Sequence, residues 1–498
     1  MLTKVLSATV IGIQGMAVMV EVDYSRKSFP SFKIVGLPHK SIAEARERVR
    51  SALNNAQFKI PSARITVNLA PADIPKRGSL FDLPIAVGLL VSAGAISPSA
   101  IENKAFIGEL SLDGSVSPIP GVVPMTLYAK RAGMQSIFIP YGNQGEVSTI
   151  GDFDVVPVRT LSEVVSHLRN TQALSDRQLT SWSDTIDETT SITIPIKGQH
   201  EARRALEIAI AGGHHLYMKG PPGVGKTLIA CTASHLMPPL QKDEYEDVLA
   251  IRSIQGSTQD VGVLRPFRSV ESRVTQRALL GGGPYFLPGE VTRAHKGVLF
   301  LDELPLFQSH IIESLRKPLD DGYVELMFPR GNIRLPAQFL LIATGNMCPC
   351  GYLGHPTKKC VCTQQNISSY KRKLSGPLID RIDLHVQVYD VPEDEIDQVY
   401  SYSIEAVRKR IQLARSRQYE RYSSHPGMLN THLPHAHIEK YCPLTDDAKK
   451  FLLMGYKKLS FSARSYFKTI KIARTIADIE GVEFPEEKHI AEAMHYRE

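Results

Sequence analysis

Apolar and polar residues alternate near the start of the chain, with Val18, Val20 and Val22 on one side and polar or small neighbours between them. A two-residue period belongs to strands and not to the unbroken apolar centre of a signal peptide. Residues 32–38 then read as a strand and turn. Residues 41–54 read as a helix capped by Ser41, with Glu44 three positions on as a capping box. A strand over 64–69, a helix over 81–92, a hairpin arm over 106–114 ending in Asp113-Gly114, a helix to Arg131 and a strand over 136–140 follow. Residues 1–169 thus make a mixed α/β domain. Residues 170–193 are rich in Ser, Thr and Asp, carry the single tryptophan Trp182, and read as a solvated linker.

Beyond the linker the period changes. A helix over 201–211 precedes a short strand over 215–219, and a second helix is expected over 228–237. Further strands fall at 298–301 and 338–344, a helix at 309–319, and a hairpin joins 323–328 to 333–335. Strand–helix alternation with uninterrupted apolar strands implies a parallel sheet covered on both faces. The assignment is an ATPase core over 194–392 and a helical lid over 393–498, whose clearest helices are 394–418 and 461–479.

Between strand and helix lies Gly220-Pro221-Pro222-Gly223-Val224-Gly225-Lys226-Thr227, which satisfies G-x-x-x-x-G-K-[ST]. Glycines let the backbone N–H groups turn inward as an anion nest. Lys226 would reach the β- and γ-phosphates of ATP, and the Thr227 hydroxyl would ligate Mg²⁺. About 75 residues later the strand 298–301 closes in Asp302 and Glu303, expected to hold Mg²⁺ through water and to polarise the attacking water. Asn346 ends the strand after it, placed to orient that water. Arg381, in an Asp-Arg-Ile-Asp segment, is a candidate arginine finger given across a subunit interface.

Composition adds little that is specific. The 498 residues carry a net charge of +7, which permits a polyanionic partner without requiring one. No run of about 18 apolar residues exists, so no membrane span is expected and the chain should stay in the cytoplasm. Four of the six cysteines, Cys348, Cys350, Cys360 and Cys362, fall in a C-x-C-x₉-C-x-C pattern that reads either as a structural zinc site or as a set of ordinary thiols in a loop. His425, His432, His435 and His437 crowd a proline-interrupted stretch with no acidic or cysteine partner at metal spacing, and read as loop residues.

The first domain resembles the protease domain of Lon-type enzymes, best over 108–133. The resemblance implies a Ser–Lys dyad, but Asp82 stands at the serine position and Met125 near the lysine position. Ser79 and Lys76 are neighbours in one loop, so a fold kept without its peptidase chemistry is expected. Over nearly its whole length the chain resembles the magnesium-chelatase-like AAA+ ATPases of the YifB/ComM type. The motifs are Gly212-Gly213-His214, the phosphate loop, Arg265-Pro266-Phe267-Arg268, residues 297–305, Cys348-Pro349-Cys350-Gly351, residues 374–384 and residues 473–478. That resemblance implies a homohexameric ring acting on single-stranded or branched DNA in recombination and natural transformation, with recombination proteins as partners. It implies Asn346 as sensor 1, Arg381 as the finger and Arg464 as sensor 2. The hairpin arginines Arg330 and Arg334 are the expected DNA contacts. Three departures are visible: Ser269-Val270-Glu271-Ser272 replaces a Pro-His-His stretch, Met347 replaces a proline, and Phe328 stands where an arginine is expected. Two rival functions share this core: the motor subunit of a magnesium chelatase, expected to lack the Lon-like domain, and a protein-remodelling chaperone.

Overall fold

The alternation in the first third becomes a seven-stranded sheet. Its strands are β1 (Leu2–Ile11), β2 (Gln14–Ser25), β3 (Ser31–Val35), β4 (Arg64–Ala70), β5 (Lys104–Phe106), β8 (Ser136–Pro140) and β9 (Asp154–Val158), in the order β3-β4-β2-β1-β5-β8-β9. A small ribbon of β6 (Glu109–Leu110) and β7 (Val116–Ser117) is the predicted hairpin arm. Val18, Val20 and Val22 are fully buried, on β2, which the helices Asp82–Ser92 and Val122–Arg131 pack against. This computed structural model describes residues 2–497 apart from 26–28, 37–38, 59–62, 73, 75, 77–78, 172–197, 257–263, 284, 329–330, 356, 375–377, 392–402, 426 and 459–461. The linker beyond residue 171, Trp182 and Arg330 therefore lie outside the described residues.

The first helix runs over His39–Asn55, so Ser41 lies inside it and is not its cap. Packing of an amphipathic face carries a helix past the point where a local cap signal would start it. The positions implied for a peptidase dyad hold structural groups. Asp82 is fully buried and accepts from Arg48 Nε at 2.6 Å, and Met125 is fully buried. Burial pushes the Asp82 carboxyl up to about 7, against the opposing pull of Arg48. Lys76 donates to the carbonyls of Pro71 and Ile74, closing its own loop.

The second sheet is five-stranded and wholly parallel: β10 (Leu216–Lys219), β11 (Phe267–Val270), β14 (Val298–Leu301), β17 (Leu340–Gly345) and β18 (Leu384–Gln387), in the order β11-β14-β17-β10-β18. Two antiparallel ribbons stand apart from it, β12 (Gly281–Gly282) with β13 (Leu287–Pro288) and β15 (Tyr323–Phe328) with β16 (Gly331–Pro336). Helices break where local chemistry breaks them. The helix after the phosphate loop stops at Cys231 and resumes at Ala233, with the Thr232 hydroxyl donating to the Ile229 carbonyl at 2.7 Å. The helix expected over 309–319 is two pieces, Ser309–Ser314 and Arg316–Asp321, because Pro318 has no N–H to offer the Ser314 carbonyl.

Arg265-Pro266-Phe267-Arg268 leads into edge strand β11, whose first two residues are Phe267 and Arg268. Arg265 is buried there, donating to the carbonyls of Pro238 at 2.7 Å and Lys296 at 2.8 Å, and to Glu244 at 2.6 Å. The helix Lys242–Ile254 from the same stretch belongs to the first domain's core, through Tyr245, Val248, Leu249 and Ala250. Its Ser253 hydroxyl donates to Glu146 at 2.5 Å, and its carbonyl accepts the Gly121 N–H at 2.8 Å. Helices Ile404–Arg421, Ala463–Glu480 and Glu487–His495 share an apolar core with helix His200–Gly212 of the ATPase unit.

Candidate nucleotide site

Parallel strands deliver their C-terminal ends to one edge of the sheet, and three of those ends carry the candidate chemistry. Strand β10 runs into Gly220, β14 into Asp302 and Glu303, and β17 into Asn346. Because β17 lies between the other two, Asn346 emerges between the phosphate loop and the acidic pair. The order of strands brings the three together.

Gly223 and Gly225 adopt φ of 87° and 91°, left-handed values that turn successive N–H groups toward one centre. The Gly220 N–H donates to the Gly345 carbonyl at 3.1 Å, tying the loop to β17. Lys226 is 8% exposed, and its ammonium donates to the carbonyls of Gly220 at 2.8 Å and Pro221 at 2.6 Å, and to Asn346 Oδ1 at 3.2 Å. Burial holds its pKa below the usual lysine value, while Asp302 and Glu303 pull it back up. Pro222 and Val224 complete the loop, and Thr227, one residue after Lys226, is exposed.

The acidic side is held as firmly. Glu303 sits in the left-handed region, φ 54° and ψ 54°, a conformation that costs a non-glycine residue about 1 kcal/mol or more. Its N–H donates to Thr344 Oγ1 at 3.0 Å, and the Thr344 hydroxyl donates to Asp302 Oδ1 at 2.6 Å. The Asn346 amide donates to Glu303 Oε1 at 3.1 Å. One asparagine thus bonds the lysine with its oxygen and the glutamate with its nitrogen. Tyr370 accepts the Asn346 backbone N–H at 3.3 Å, and burial pushes its phenol up to about 12. The donor set suits a hard cation: a hydroxyl at Thr227 and a half-buried carboxylate at Asp302, both oxygen ligands.

Arg381 and Arg464 stand elsewhere. His215, Phe339 and Asp383 immediately precede β10, β17 and β18, and with both arginines they line a cleft of about 490 Å³ at the opposite edge of the sheet. Arg381 Nε donates to Asp320 at 2.8 Å, and the Arg464 guanidinium lies 3.8 Å from the same carboxylate. Lys468 and Lys471 add further cations to this cleft. The two arginines are therefore brought to each other, and not to the Lys226 and Glu303 of their own chain.

On the β15–β16 hairpin, Arg334 faces Glu325 across the ladder, 3.4 Å from it, and lies 4.7 Å over the Tyr323 ring. Its side chain remains 66% exposed. The four cysteines converge, with Cys348, Cys350 and Cys360 sulfurs 3.4 to 3.6 Å apart. Among the described residues they make the only group of three or more potential metal ligands. Sequence reasoning missed Thr344, Tyr370 and Asp320. Thr344 alone had a signal, as a hydroxyl in the otherwise apolar strand β17.

Fold and site define a P-loop ATPase of the AAA+ class, with a helical lid. Residues 193–396 match the family described as "Magnesium chelatase, subunit ChlI", residues 20–143 that described as "Subunit ChlI of Mg-chelatase", and residues 401–497 "Magnesium chelatase, subunit ChlI C-terminal". Competence protein ComM of Haemophilus influenzae is 37% identical over 509 residues, 100% of this chain and 97% of that protein. The uncharacterized protein YifB of Salmonella typhimurium is 37% identical, over 98% of this chain and 95% of its own length. Lon protease 2 of Bacillus subtilis is 33% identical over 132 residues, 26% of this chain. The chain belongs to the magnesium-chelatase-like YifB/ComM family. Among the described residues no helix is long and apolar enough to cross a membrane.

Proposed function

We propose that the chain is one subunit of a homohexameric, ATP-driven ring motor that moves branched or single-stranded DNA. The observation that carries this reading is the separation of the arginines from the phosphate loop. A site whose charge-stabilising cations lie on the far edge of its own sheet is completed by a neighbouring subunit, and such a head-to-tail contact, repeated with a rotation that closes, forms a ring. Lys226 and the loop N–H groups bind the phosphates, and Thr227 and Asp302 would hold a Mg²⁺ ion that would supply compensating positive charge there. Glu303 takes the proton of the attacking water, and Asn346 holds that water and Lys226 in register. Arg381 and Arg464 of one subunit meet the nucleotide of the next.

DNA as the substrate is supported by the net charge of +7, by the exposed Arg334 on a projecting hairpin, and by the full-length likeness to a competence protein. Residues 20–143 match a family described by that subunit's name, so the N-terminal domain does not by itself decide against the chelatase rival. The extent of likeness separates them better: the magnesium-chelatase subunit ChlI of Trieres chinensis covers only 30% of this chain. A specific observation keeps the chaperone reading alive, since Met327 near the hairpin tip is 85% exposed and could grip an apolar peptide.

Binding of forked DNA tests the substrate. The logarithm of affinity should fall linearly with the logarithm of salt concentration, and Arg334→Ala should lower that slope by about one per contact while weakening all sequences alike. Salt-independent binding, or no binding at low salt, would contradict the reading.

A further inference from the structure

We propose that Cys348, Cys350, Cys360 and Cys362 hold a zinc ion, and that this ion clamps the sensor Asn346 against the phosphate loop. The sulfurs of Cys348 and Cys350 lie 3.4 Å apart, and each lies 3.6 Å from that of Cys360. All four ligand atoms fall within 4.8 Å of one another. Zinc thiolate bonds of about 2.3 Å in a tetrahedron set sulfur–sulfur edges near 3.8 Å, whereas a disulfide needs about 2.05 Å. The separations fit the first and not the second, and all six cysteines are free. The Cys350 N–H donates to the Cys362 sulfur at 3.4 Å, the kind of outer bond that steadies a metal thiolate.

Apart from the cysteines, the loop is held chiefly through His355, which accepts the Thr357 and Lys358 N–H groups at 3.2 Å and lies 3.0 Å from Asp390. Between Cys348 and the helix that starts at Gln364 no strand or helix forms among the described residues, and Val361, between two of the cysteines, is 83% exposed. Burial of apolar surface does not account for its shape. Metal binding by four thiolates does, and contributes folding free energy directly.

The position of the loop gives the ion its consequence. Cys348 follows Asn346 by two residues. Gly351, at φ 86°, lies so close to the phosphate loop that a Cβ there would come within 2.5 Å of Pro222 Cδ. The helix Gln364–Leu374, which begins two residues after Cys362, supplies the Tyr370 hydroxyl to the Asn346 N–H and packs against Leu304–Leu306, the turn that follows Glu303. One stapled segment therefore touches phosphate loop, sensor and acidic turn together. Four protein ligands leave no coordination position for substrate, so the ion acts only by position. That positional half rests on the ATPase reading, whereas metal content does not.

The test uses the full chain, purified reduced, and the double variant Cys360→Ser/Cys362→Ser, which spares the cysteines nearest the sensor. Elemental analysis should find about one zinc per wild-type chain and none in the variant, and cobalt substitution should give the ligand-field spectrum of a tetrahedral thiolate site. Metal-free wild-type protein that takes up no cobalt overturns the site. For the clamp, the variant should bind a fluorescent ATP analogue with unchanged affinity while kcat for ATP falls about 10- to 100-fold, the usual effect of losing an orienting partner. Unchanged kcat, or loss of nucleotide binding along with it, overturns the positioning role and leaves the metal analysis to stand by itself.

Discussion

Glu303→Gln should bind ATP as tightly as the wild type and hydrolyse it about 10²- to 10⁴-fold more slowly, the range expected when a general base is removed. Glutamine keeps the length of the side chain and an oxygen that can accept from Asn346, now 3.1 Å from Glu303 Oε1. It cannot take a proton. The loop N–H groups and Lys226, proposed to bind phosphate, follow strand β10 and are not altered by the substitution. The backbone of residue 303 is fixed by its own N–H on Thr344, so the amide should occupy the same place. Single-turnover hydrolysis and equilibrium binding of ATP check both halves. Wild-type turnover would mean that the base lies elsewhere.

Arg381→Ala should also keep ATP affinity, and lose about 10³- to 10⁵-fold in turnover, the contribution of an arginine finger. The reason is geometric. Arg381 lies at the edge of the sheet opposite to Lys226, paired with Asp320, so it has no role in its own chain's phosphate binding. Mixing supplies the sharper check. Subunits carrying Arg381→Ala have a complete phosphate loop, and subunits carrying Lys226→Ala have a complete finger, so a mixed ring contains some whole sites. Activity should reappear when two inactive preparations are combined. An inactive mixture that still assembles would contradict a shared site.

Much of this site could be read from the chain because phosphate chemistry fixes residue types at fixed spacing. Gly220 to Thr227 and Asp302-Glu303 stand where a strand must end, and strands buried on both faces announce themselves as apolar runs. What could not be read was adjacency. Nothing local says that β17 lies between β10 and β14, yet that order puts Asn346 between the lysine and the glutamate. Strand β11 was hidden for a related reason: it is four residues at an edge, with the polar pair Arg268-Ser269 standing between Phe267 and Val270. The helix Lys242–Ile254 has an apolar face that demands a partner, but periodicity does not say that the partner is the first domain. Arg464 illustrates the limit of motif reading. Its segment was recognised, and its location beside Arg381 comes only from the packing of the helix Ala463–Glu480 against the core.

The most direct measurement is strand release from a forked DNA with one labelled strand, followed alongside ATP hydrolysis. The wild-type protein should release the strand only with hydrolysable ATP, its ATPase rate should rise when the fork is added, and Glu303→Gln should do neither. ATP hydrolysis that is indifferent to DNA, with the strand retained and with turnover raised instead by an unfolded polypeptide, would contradict the account.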